Sequence, residues 1–137
     1  MMKYLISGDG YNKIVVDAKL QNNHVVMKQY YFNGTEIHKT DKAELYLEKI
    51  DSGYGVKSIM SDSDDTLIIP KSVITEILPY AVRGCRFRRI VVPTQMVLKL
   101  DDKSLYGSDT LREFISLSHD VVYGGDVFPK ELVRRRV

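Results

Sequence analysis

The sequence predicts an α+β domain. A mostly antiparallel sheet, or partial barrel, is built by the N-terminal half, and two helices from the C-terminal half pack on it. Three observations predict this. Before Pro70 the chain runs in β-branched and aromatic stretches separated by Asn/Gly turns. After Pro70 its apolar residues fall at helical spacing. The order, strands first and helices later, disfavours a doubly wound parallel sheet. With 137 residues, 44% of them hydrophobic, the chain supports one domain, 1–137, with a core of its own.

Tyr4-Leu5-Ile6 reads as a first strand and Gly8-Asp9-Gly10 as a turn. Residues 13–20 and 24–32 form a hairpin across Gln21-Asn22-Asn23. Asn33-Gly34 suits a type I′ turn, whose two central residues both need positive φ. It begins an Asn-Gly-Thr sequon, which is read as the turn. Residues 41–50 carry both a capping-box pattern, Asp41 with Glu44, and strand-like alternation; neighbouring strands favour the strand. Asp51–Gly55 turns into a strand at Val56–Met60. An acidic loop, 61–65, precedes the short apolar strand Thr66–Ile69.

In the second half, Val73, Ile74, Ile77, Leu78 and Ala81 predict a helix near 71–83, ended by Pro79 and Gly84. Arg88–Val92 and Met96–Leu100 read as strands parted by Pro93. Ser108 or Asp109 caps a second helix near 108–120, which presents Leu111, Phe114 and Ile115 to the core. No repeat at solenoid periods stands out.

The charge distribution is lopsided. Residues 1–69 carry eight Lys, no Arg and ten acidic residues, a net −2; residues 70–137 carry four Lys, eight Arg and eight acidic residues, a net +4. Arginine's planar fork suits phosphate and carboxylate. The single cysteine, Cys85, excludes an internal disulfide framework and a multi-cysteine zinc site, and points to a reducing compartment. No apolar run approaches a membrane span, and the apolar patch at the start is too short for a secretory signal. The expected setting is cytoplasmic, with no membrane partner.

Most motifs fail on inspection. Ser7–Lys13 lacks the third glycine and following helix of a dinucleotide loop. Asp62, Asp64 and Asp65 open like a calcium loop, but Leu67 and Val73 stand where glycine and the bidentate glutamate belong. His24, His38 and His119 share no metal-ligand spacing; His119 is placed at a helix end that favours a cation. Neither a metal nor a cofactor is expected, and no catalytic residue is assigned.

The strongest candidate is residues 80–89. There Arg83, Arg86 and Arg88 form an anion-binding patch, with Phe87 or Tyr80 stacking on a base. An extended run puts Arg86 and Arg88 on one face and Phe87 and Arg89 on the other. The competing reading pairs these arginines with Asp62, Asp64, Asp65 or Glu76. The expected function is therefore a non-catalytic binding protein whose partner is a nucleic acid or a phosphorylated ligand. The alternative is a protein–protein interaction or inhibitor domain using the face of Tyr30-Tyr31-Phe32, as a homo-oligomer or with another protein. A small hydrolase acting through His38, His119 or Cys85 comes third.

Overall fold

The structure, a computed structural model, describes residues 2–4 and 13–136, with backbone alone at 2–4 and 136. The expected turn at Gly8–Gly10, the Ser7–Lys13 loop up to residue 12 and Leu5-Ile6 lie outside the described residues. Five strands follow one another as an antiparallel meander: β1 (Met2–Tyr4), β2 (Lys13–Gln21), β3 (His24–Asn33), β4 (Glu36–Ile50) and β5 (Gly53–Ser61). In β4 the residues Asp41, Ala43, Leu45 and Leu47 are buried in strict alternation. Period two thus prevails over the capping-box pattern.

Beyond β5 the chain changes its mode of pairing. The strands β6 (Thr66–Ile68), β7 (Ile74–Ile77), β8 (Arg89–Val92), β9 (Leu98–Asp101), β10 (Glu113–Ser116), β11 (Val121–Gly124) and β12 (Val133–Arg136) alternate between two sheets. β7, β9 and β11 extend the meander sheet in parallel from β5, while β6, β8, β10 and β12 form a second, all-parallel sheet. The backbone winds as a solenoid. Register gives its period: Thr66 lies beside Arg89 (23 residues on), Arg89 beside Glu113 (24) and Glu113 beside Val133 (20). The corners stack as well, since Tyr80 N–H donates to Lys103 O and Lys103 N–H to Asp126 O.

Both predicted helices are overturned, and the α+β class with them: the described residues are all-β and contain no helix. Over 71–83, Ile74, Ile77 and Ala81 do face the core, but from β7 and a turn, while Val73 is 41% exposed. The backbone there is bound sideways to the neighbouring coil, as Leu78 N–H to Val56 O shows. Near 108–120 the cap signal is genuine: Ser108 Oγ accepts N–H bonds from Thr110 (3.2 Å) and Leu111 (3.1 Å). The turn so made leads into β10 instead of a helix, because β8 and β12 flank that segment and take its backbone groups. His119 consequently has no helix end beside it. A solenoid repeat is present after all; unequal spacings of 23, 24 and 20 conceal it. The expected antiparallel sheet holds only for the first five strands, and strand order runs open from β1 to β11.

Two hairpins differ from expectation, one tighter and one shifted. Gln21 pairs with His24, leaving only Asn22 and Asn23 in the loop, with Asn22 at φ 57°. Asn33 pairs with Glu36, so the second turn is centred one residue later, on Gly34-Thr35. Only Gly34 has positive φ (67°), the II′ pattern and not I′.

One core joins meander and solenoid: Ile14, Val16, Val25, Met27 and Leu45 with Leu67, Ile77, Ile90, Leu100 and Phe114. At the junction, β6 is the edge of the second sheet, and its free side is closed by side chains of β3. Gln29 Nε2 donates to Thr66 O (2.5 Å), Gln29 Oε1 accepts from Ile68 N–H (2.7 Å), and the Tyr31 hydroxyl donates to Thr66 O (2.9 Å). At the far end, Arg134 follows Leu67, Ile90 and Phe114 in register, and its guanidinium covers the rings of Tyr123 (4.6 Å) and Phe128 (4.5 Å).

Gln29 is 1% exposed, so truncating it leaves the buried Ile68 N–H without a partner and takes from Thr66 O one of its two donors, Tyr31 remaining. Gln29→Ala should lower unfolding stability by about 1–3 kcal/mol. Lys28→Ala, at an exposed position next to it, should change it by less than about 0.5 kcal/mol. Urea denaturation followed by far-ultraviolet circular dichroism, which should show no helical signature, measures both.

Candidate anion-binding groove

Of the predicted patch, Arg88 lies in a groove. The segment 85–88 is not a strand, and β8 begins at Arg89. Phe87 is fully buried and unavailable for stacking. Tyr80 and Arg83 occupy the turn 79–84, where the guanidinium lies 4.7 Å from the ring centroid and both pack over Gly107. This pair satisfies itself. Gly107 sits at φ 95°, and a Cβ there would stand 3.5 Å from atoms of both side chains. Arg86 is exposed and does not line the groove that holds Arg88. The two-faced arrangement expected for 86–89 therefore fails: Phe87 turns inward while Arg88 and Arg89 line the same groove.

That groove, about 270 Å³, is walled by Asp65, Arg88, Arg89, Arg112, Glu113 and Val133. Solenoid winding assembles it. Arg88 N–H donates to Asp65 O, Arg112 N–H to Arg88 O, and Val133 N–H to Arg112 O, so the four residues stack at one corner. Arg89 and Glu113 stand side by side in β8 and β10. The Arg89 Nε bonds Glu113 Oε1 and the Arg135 Nε bonds Glu113 Oε2 (2.6 Å), so the carboxylate is shared by two guanidiniums. Asp65 is taken by Lys39 at 3.2 Å.

Arg88 and Arg112 differ from these. Arg88 Nε donates to the carbonyl of Asp64 (3.1 Å), and Arg112 donates to the carbonyls of Leu111 (3.0 Å) and Asp109 (2.9 Å). Neither has a carboxylate within ion-pair distance among the described residues. The acidic loop does touch Arg88, but through a neutral carbonyl that leaves the cation's charge uncompensated. Arg112, Glu113 and Arg135 were not singled out by sequence reasoning. The signal for Arg112 and Glu113 was the offset of 24 residues separating them from Arg88 and Arg89; Arg135, in a shorter coil, stands at no such offset.

Beside the groove lies a buried polar cluster. The Ser63 hydroxyl donates to Asp41 Oδ2 (2.5 Å), and Thr66 Oγ1 bonds Asp65 Oδ1 (3.0 Å). Burial, reinforced by Asp41 and Asp65, holds the Tyr31 phenol far above its ordinary pKa, so it stays a donor. Tyr31 thus belongs to the interior, while Tyr30 and Phe32 are half-buried on the outer face, where the Lys13 ammonium lies over Phe32 at 4.9 Å. Asp62 ties its loop to β4, accepting the Lys42 N–H at 3.1 Å. Among the described residues no group of three His, Cys, Asp or Glu is placed to hold a metal, and no helix is long and apolar enough to cross a membrane. Comparison with family models, curated proteins and solved structures finds no match.

Cys85 is 4% exposed, and burial pushes its thiol up to about 11 from 9.0. An unfolded chain releases this proton near pH 9 while the folded one keeps it to about 11. Stability should therefore be level below pH 9 and fall as pH rises from 9 to 11, by about 2–3 kcal/mol from this group. Cys85→Ala should flatten that slope in urea titrations, and alkylation of the native thiol near neutral pH should be slow until the chain unfolds.

Proposed function

We propose that this protein is a non-catalytic binding module that holds an anionic ligand in the groove flanked by Arg88 and Arg112. One observation carries the reading: two arginines at stacked corners of successive coils face a groove with no carboxylate partner of their own among the described residues. A guanidinium anchored by a backbone carbonyl is already oriented, so less rotamer freedom is lost when it binds. Both partners expected from the sequence, a nucleic acid and a phosphorylated ligand, present such an anion. The cytoplasm is the setting proposed, because the single cysteine is a free, buried thiol.

Isothermal titration with inorganic pyrophosphate tests the reading. Arg88→Gln with Arg112→Gln should weaken binding at least about tenfold, the loss of one or two charge-assisted hydrogen bonds, and leave thermal stability nearly unchanged. Arg89→Gln breaks the bond to Glu113 and should instead cost about 1–3 kcal/mol of stability. A double variant that binds pyrophosphate as well as the parent protein would end the proposal.

A further inference from the structure

We infer that the groove takes a phosphomonoester dianion, one phosphoryl group held between Arg88 and Arg112, and not the phosphate chain of a nucleic acid. The inference rests on the anion-binding reading above and narrows it to a ligand class. The bond from Arg112 N–H to Arg88 O (2.8 Å) fixes the two residues on adjacent coils, about 4.8 Å apart as neighbouring strands are. Two forks rooted so close together and lining one groove are within reach of a single group. Each can bond a tetrahedral anion through paired donors.

The surroundings oppose a polyanion. Each guanidinium is held by the backbone carbonyl of an aspartate, Asp64 or Asp109, and both of these acidic residues are exposed. Asp65 and Glu113 lie in the groove itself. A nucleic-acid strand gains affinity by laying successive phosphates along an unbroken cationic track, and here that track is interrupted on both sides. A single compact anion needs only the two arginines, and Asp65 and Glu113 are already paired with Lys39 and with Arg89 and Arg135. The volume, about 270 Å³, falls below that of sites for drug-sized molecules and suits one phosphorylated group. Val133, 57% exposed, supplies an apolar wall for the carbon that bears it. Charge matches too: two permanent positive charges meet a group that carries nearly two negative ones above its second pKa, near 6.

Titration calorimetry with phosphoserine, a phosphoserine peptide, its unphosphorylated twin and oligothymidylates of increasing length tests this. Phosphoserine should bind about tenfold more tightly near pH 7.5 than near pH 5, following loss of the second phosphate proton. The unphosphorylated peptide should not bind, and Arg88→Gln with Arg112→Gln, checked for an unchanged melting temperature, should abolish phosphoserine binding. A phosphopeptide that binds more tightly than the free amino acid identifies a protein-borne phosphate, and equal affinities identify a small phosphorylated molecule; both sustain the inference. Affinity for oligothymidylate that climbs with length, with a log–log salt slope steeper than about −1.4 (two phosphates) and lost in the double variant, would overturn it and leave the anion-binding reading intact. No binding of any phosphate-bearing probe, or binding indifferent to both arginines, would overturn the two together.

Discussion

A parallel sheet that ends inside a protein must find partners for the backbone groups of its last strand, because buried N–H and C=O groups left unpaired are costly. Here the edge is β6 and the partner is not a strand. The Gln29 side chain supplies an acceptor to Ile68 N–H and a donor to Thr66 O, as a neighbouring peptide would, and Tyr31 adds a second donor to the same carbonyl. Both residues come from β3, a central strand of the meander, so closing the edge also fixes where the meander sits on the solenoid. The deep burial of Tyr31, the Lys39 bridge to Asp65 and the Ser63 bond to Asp41 gather round that junction.

From that fixed edge the rest follows by register. Strands of three or four residues cannot specify their pairing by length, and the short parallel ladders are held by corners that stack on one another. Stacking converts positions more than twenty residues apart in sequence into neighbours, which is how Arg88 meets Arg112, and how Glu113 comes to lie between Arg89 and Arg135. Opposite charges side by side on adjacent strands support the register they depend on. In the last coil the inward row Leu67–Ile90–Phe114 ends on Arg134, whose stem and guanidinium cover the aromatic rings beneath. A polar group at the end of the stack shields its core, as terminal repeats of solenoids require.

The arginine cluster illustrates how local reading misleads. Four arginines within seven residues look like one patch, yet they disperse: Arg83 onto Tyr80, Arg86 to solvent, Arg88 and Arg89 to the groove. The extended alternation assumed for 86–92 is correct only from Arg89, because Phe87 must enter the core at the corner. The same holds for Ser108, whose hydroxyl makes the bonds of a cap without a helix to follow.

The sequence alone determined what depends on near neighbours. The hairpins of β2–β4, the strand at 41–50, the strands on either side of Pro93 and the turn chemistry around Ser108 were legible because period-two burial and turn residues act over a few positions. Tertiary structure decided whatever depends on the coil. Spacing such as that of Ile74, Ile77 and Ala81 fits a helix as well as a strand followed by a turn, and only the backbone bonds offered by β5 and β9 choose between them. The groove was out of reach for the same reason. Its residues become neighbours through stacking at unequal intervals, and no local pattern of residue types encodes a register that the whole winding chain must satisfy at once.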